Sequence, residues 1–130
     1  MRIEAKELQY SALNDAVRSS KDRSVEIFGC IGQRYLGAGL SDKDIVVHGT
    51  PGNALGAYLS GGSITVDGNV QEATGDTMNG GTIEVHGRAG DATGYAMRGG
   101  EILIEGDVGY RCGIHKKAYR TQRPVMVVGG

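Results

Sequence analysis

The sequence predicts an all-β solenoid, a single-stranded parallel β-helix with 19-residue coils and a short N-terminal helix, on three observations. Ile45, Ile64, Ile83 and Ile102 recur every 19 residues, and Val47, Val66, Val85 and Ile104 keep the same interval. Two glycine columns, Gly49-Gly68-Gly87-Gly106 and Gly56-Gly75-Gly94-Gly113, run in the same register, with glycine pairs at Gly61-Gly62, Gly80-Gly81 and Gly99-Gly100. Each unit opens on a two-residue alternation such as Ser63-Ile64-Thr65-Val66-Asp67. A fixed period of this length marks an array of stacked supersecondary units.

The alternation gives each strand one buried face, with Ile64 and Val66 inward and Ser63, Thr65 and Asp67 outward. One such strand cannot bury its apolar face alone. Equivalent strands stacked in parallel at about 4.8 Å build interior ladders, and glycines take the corners. Ala54, Ala73 and Ala92 read as a small inward ladder, and Leu59, Met78 and Met97 as a larger one.

The first 24 residues read as a helical cap and residues 25–130 as the solenoid. In the cap, Ser11 to Arg18 predicts a helix with Ser11 as N-cap, basic residues late, and Leu13, Ala16 and Val17 on one face. Val25-Glu26-Ile27-Phe28-Gly29 reads as an earlier strand, 20 residues before the next, so its coil holds one extra residue. Val125-Met126-Val127-Val128 reads as a later strand starting 23 residues after Ile102, which gives the fourth coil four extra residues. An uncapped solenoid end leaves an open edge. The expectation is a fragment of a longer chain or an end covered by a partner.

Composition narrows the function classes. The chain has 130 residues, 14 Lys+Arg against 15 Asp+Glu, and 23 Gly with only 2 Pro. Near-neutral charge gives no argument for nucleic acid or an anionic membrane, and collagen would need far more proline. The start, Met1-Arg2-Ile3-Glu4-Ala5-Lys6-Glu7, lacks the apolar run of a signal peptide, and no segment is apolar enough for a spanning helix. Cys30 and Cys112 fit neither a disulfide framework nor a zinc site, so a reducing cytoplasmic setting is the default.

No catalytic, cofactor-binding or metal-ligating residue is assigned. The recurring glycines lack the strand–helix setting of a dinucleotide fingerprint or a P-loop and read as corners. The outward column His48, Asp67, His86, Glu105 reads as a solvated face of alternating charge, with a chelating or pH-sensitive ladder as its rival. Arg111, His115, Lys116, Lys117, Arg120 and Arg123, in the expanded fourth coil, are the candidate partner or anion contact. Cys112 among these basic residues and Cys30 both read as structural, and Gln33-Arg34-Tyr35 as a turn packed on the helix.

At these motifs a resemblance appears. Gly87-Arg88-Ala89-Gly90-Asp91-Ala92-Thr93-Gly94 with Met97-Arg98-Gly99-Gly100 resembles the glycine-motif domain at the C-terminal end of the glutamate synthase large subunit. Gly32-Gln33-Arg34-Tyr35-Leu36-Gly37 and Gly106 to His115 are similar to the stand-alone version of that domain, and formylmethanofuran dehydrogenase has the same repeat in one of its subunits. The resemblance covers about residues 10 to 130. It implies a right-handed parallel β-helix that acts as a structural element, without catalytic or cofactor-ligating residues. The implied partners are glutaminase-like and flavin/iron–sulfur subunits that carry FMN and the clusters, or a second copy of the chain. Family members usually continue with further coils.

Enzymatic β-helices are the rival class. A left-handed acyltransferase solenoid needs aliphatics every six residues, but six past Ile45 is Pro51 and six past Ile83 is Ala89. Polysaccharide lyases need clustered acids with a basic residue on one face, and no such cluster recurs.

Overall fold

The structure is a computed structural model that describes residues 1–106 and the strand at 125–128. Among the described residues seven strands form one sheet in simple chain order: β1 (Arg2–Glu4), β2 (Ser24–Ile31), β3 (Asp44–Thr50), β4 (Ser60–Asp67), β5 (Gly80–Val85), β6 (Glu101–Ile104) and β7 (Val125–Val128). All neighbours pair in parallel, so each coil lays one strand on the last. A helix, α1 (Tyr10–Ser19), joins β1 to β2.

The two apolar ladders stand as the period demands. Val25, Ile45, Ile64, Ile83 and Ile102 are successive partners, as are Ile27, Val47, Val66, Val85 and Ile104. All ten are buried, with Leu59, Met78 and Met97. Two further interior columns, unread from the sequence, are Leu36-Leu55-Thr74-Thr93 and Pro51-Val70-Ala89. The buried threonines satisfy their hydroxyls locally: Thr93 Oγ1 donates to Gly90 O at 2.9 Å and Thr74 Oγ1 to Gln71 O at 3.3 Å.

The Ala54-Ala73-Ala92 ladder is corrected. These alanines are turn residues at φ of 62°, 59° and 58°, and Ala54 is buried while Ala73 and Ala92 are only partly so. Each precedes the interior residue Leu55, Thr74 or Thr93, so the inward position is one residue later. Left-handed and right-handed residues alternate through the turn, as in Ala54, Gly56 and Tyr58. That alternation still stacks: Ala54 N–H donates to Glu72 O in the next coil and Gly56 N–H to Leu36 O in the previous one. Gly56 must be glycine twice over. Its φ is +65°, and a Cβ there would lie 2.6 Å from Ile83 Cδ1.

The N-terminal segment is more than a helical cap. β1 pairs with β2 (Ile3 on Ile27), adding a strand that the 19-residue period does not announce. The helix starts at Tyr10 with Gln9 as N-cap and no capping side chain, rather than at Ser11. Tertiary bonds fix this start. Gln33 Nε2 donates to Ala5 O (2.8 Å) and Leu8 O (3.0 Å), while Asn14 Nδ2 donates to Arg34 O and its Oδ1 accepts from Gly37 N–H. Leu13 and Val17 then close the first coil. The far end also shifts: Ile102 pairs with Met126, 24 residues on, so that coil carries five extra residues rather than four.

Candidate functional site

Three surfaces carry polar chemistry among the described residues. The first is the outward sheet column. His48 Nε2 meets Glu26 Oε2 at 2.7 Å, its Nδ1 lies 3.6 Å from Asp67 Oδ2, and its ring stacks on Phe28 at 4.6 Å. His86 Nδ1 meets Glu105 Oε1 at 2.8 Å, with Glu84 Oε1 3.9 Å from Nε2. The predicted column is therefore two histidine–carboxylate clusters. Glu26 went unread because it reaches His48 diagonally: its strand partner is Val46, and the partner of His48 is Phe28. No group of three or more His, Cys, Asp or Glu is set to hold a metal ion among the described residues.

The His86 pKa is raised above its ordinary 6.5, chiefly by the hydrogen bond to Glu105, which outweighs an opposing desolvation, with further lift from the charges of Glu105, Glu84 and Asp67. A raised folded-state pKa contributes stability that is fully present below the unfolded value and is lost as pH rises through the folded one. The pair is exposed and its effect on stability small. The expected result is an imidazole NMR titration with its midpoint above 6.5, falling back in Glu105→Gln. A wild-type midpoint at or below that of the unfolded chain would contradict the pairing.

The second surface is the cleft between residues 6–10 and 31–34, about 510 Å³ in volume. Arg34 lies 4.4 Å over the Tyr10 ring, and Ile31 is exposed at its mouth. Gln33 at its floor is structural: besides the two carbonyls it grips, its Oε1 accepts from Ile31 N–H at 2.6 Å and from Cys30 Sγ at 3.2 Å. Burial raises the Cys30 thiol to about 11, the opposite of an activated nucleophile. Lys43, also buried, donates to Ser20 O (2.6 Å) and Asp22 O (2.7 Å) and pins the chain between helix and β2.

The third surface is the glycine-turn side, where Tyr35 and Tyr58 are exposed at φ of 59° each. Tyr58 stands where the flanking coils carry Gly39, Thr77 and Ala96, a departure visible in the sequence once the 19-residue column is drawn. The basic residues Arg111, His115, Lys116, Lys117, Arg120 and Arg123, with Cys112, lie outside the described residues.

A parallel solenoid whose glycines close every turn defines a class of stacked, repeat-built domains. The chain belongs to the GXGXG motif family, whose model matches residues 6–130 and is of the type found at the C-terminal end of the glutamate synthase large subunit. It is 44% identical over 135 residues to an uncharacterized protein of Methanocaldococcus jannaschii, an alignment covering 98% of this chain and 52% of that protein. The chain thus spans about half the length of this curated relative. No solved structure matches. No helix among the described residues is long and apolar enough to cross a membrane.

Proposed function

We propose that the chain is a structural, non-catalytic unit of a glutamate-synthase-like amidotransferase/oxidoreductase assembly in the cytoplasm, holding catalytic partners in fixed relation. The observation that carries this reading is the family match over nearly the whole chain. The fold supports it. Hydrogen bonds run from coil to coil along both the strands and the turns, as in Tyr35 N–H to Asn53 O and Thr77 N–H to Tyr95 O, which makes a stiff rod. Buried polar groups are used by the fold itself, as Gln33 and Lys43 show.

In this reading FMN, the iron–sulfur clusters and the glutaminase reside in the partners, and this chain supplies surface. The test is affinity capture of the tagged chain from its native host at low ionic strength, followed by mass identification. Co-purification of glutaminase-like and flavin/iron–sulfur subunits is the expected result. Recovery of the chain with a tightly bound cofactor and turnover of its own would overturn it.

A further inference from the structure

We propose that the glycine-turn side is a self-complementary interface through which two copies of the chain pair with their solenoid axes antiparallel. Three observations converge there. Tyr35 and Tyr58 hold large aromatic side chains at left-handed φ, a conformation that bulky residues rarely adopt, and both are exposed, at 49% and 58%. The turn imposes this φ in every coil, as at Ala73 and Thr77. The Tyr35 ring rests against Tyr10 at 6.2 Å, whereas Tyr58 puts a strained aromatic where it gains little packing within the chain, and strained residues concentrate where a surface is used. Tyrosine is also among the residues enriched at interface hot spots.

The charges supply the orientation. Arg34, Asn53 and Glu72 occupy one outward column in successive coils, in register because Tyr35 N–H donates to Asn53 O and Ala54 N–H to Glu72 O. Among the described residues the Arg34 guanidinium contacts only the rings of Tyr10 and Tyr35, and the Glu72 carboxylate has no cation within salt-bridge distance. Arg34 and Glu72 stand one coil to either side of Asn53, about 4.8 Å each way. A two-fold axis lying in the face at the Asn53 coil therefore carries Arg34 onto Glu72 of the second copy, and does so twice.

The same axis settles the other columns. Tyr58, in the Asn53 coil, meets its own symmetry mate, and Tyr35 is placed over the small side chain of Ala73 in the second copy. Tyr58 pairs with itself at the axis, Tyr35 falls on a small residue and opposite charges face each other, so the face is self-complementary, as an isologous two-fold contact requires. A parallel arrangement would set arginine on arginine. This pairing uses no residue of the partner contacts proposed above and stands or falls independently of them.

The experiment is sedimentation velocity of the full chain across a concentration series, with variants chosen to leave the coil intact. Tyr58→Gly installs the residue found at position 39 in the preceding coil, so it relieves the left-handed strain while it deletes the ring. The expected result is a dimer in the parent chain, a dissociation constant raised about 30-fold or more in Tyr58→Gly, and an unfolding midpoint no lower than the parent's when both are monomeric. Arg34→Glu and Glu72→Arg should each weaken the dimer, and R34E/E72R in one chain should restore it, because both reciprocal pairs are rebuilt. A parent chain monomeric throughout the series would overturn the proposal. So would a dimer indifferent to Tyr58→Gly, or a double variant no tighter than the singles.

Discussion

Val66→Asp, and equally Val85→Asp, is expected to leave the chain unfolded in water at 25 °C. Val66 lies between Val47 and Val85 in the second ladder, and neither Val66 nor Val85 has any accessible surface. A carboxylate there faces apolar side chains on the strands above and below and has no donor to meet. Among the described residues the four buried polar ones, Gln33, Lys43, Thr74 and Thr93, already engage their polar groups with backbone atoms or Cys30. An unpaired buried charge costs several kcal/mol even after relaxation, and the lost valine packing adds about 2 kcal/mol. Together these approach the whole stability of a domain, about 5–15 kcal/mol. Replacing Asp67 or Glu84 by Ala on the outward side should move stability by about 0.5 kcal/mol or less. Far-ultraviolet circular dichroism against urea separates the two sets. Similar midpoints for inward and outward variants would show that the faces are assigned the wrong way round.

The ladders were legible because a solenoid writes its contacts into the sequence at a constant interval. Each strand partner is the same column one coil later, so Ile45 to Ile102 gives the register directly. Where the interval breaks, the reading fails by one residue. Ile102 pairs with Met126 rather than Val125 because the expanded coil supplies no column by which to count. The alanine column misled for a different reason. A small residue recurring at 19-residue spacing fits an interior ladder as well as a turn, and only the backbone shows that Ala54, Ala73 and Ala92 sit at positive φ. β1 was invisible, since its three residues lie outside the repeat and are held there by pairing with β2. The surface chemistry was half legible. The His48 and His86 column was in view, while Glu26 stands in the neighbouring Val46 column and meets His48 only on the diagonal. Gln33 and Lys43 gave no sign of burial, because their partners are backbone carbonyls, which no side-chain pattern reveals.

Glycine supplies the sharpest test of how tightly the coils are stacked, because three glycines share one backbone angle and differ only in what surrounds them. Gly32, Gly39 and Gly62 all have φ of +72°. An alanine at any of them carries the left-handed penalty of about 1–2 kcal/mol. At Gly32 and Gly39 a Cβ meets nothing within 4 Å, so that penalty is the whole effect. At Gly62 the new Cβ would overlap the carbonyl oxygen of Lys43, with the Lys43 N and C atoms at 3.1 Å. Those atoms are backbone of the preceding coil, and the same carbonyl accepts from Ser63 N–H at 2.9 Å. Relief therefore requires prising β4 from β3, which breaks that bond and disturbs the Ile45–Ile64 ladder beside it. Overpacking of a rigid site adds about 1–3 kcal/mol or more. Gly62→Ala should accordingly lose about 3 kcal/mol or more, and Gly32→Ala and Gly39→Ala about 1–2 kcal/mol each. Urea denaturation of the three variants, fitted with a common slope, reads the difference as a midpoint gap. Equal midpoints would mean that neighbouring coils can separate at the glycine pair without cost, and the stiffness argued for this solenoid would not hold there.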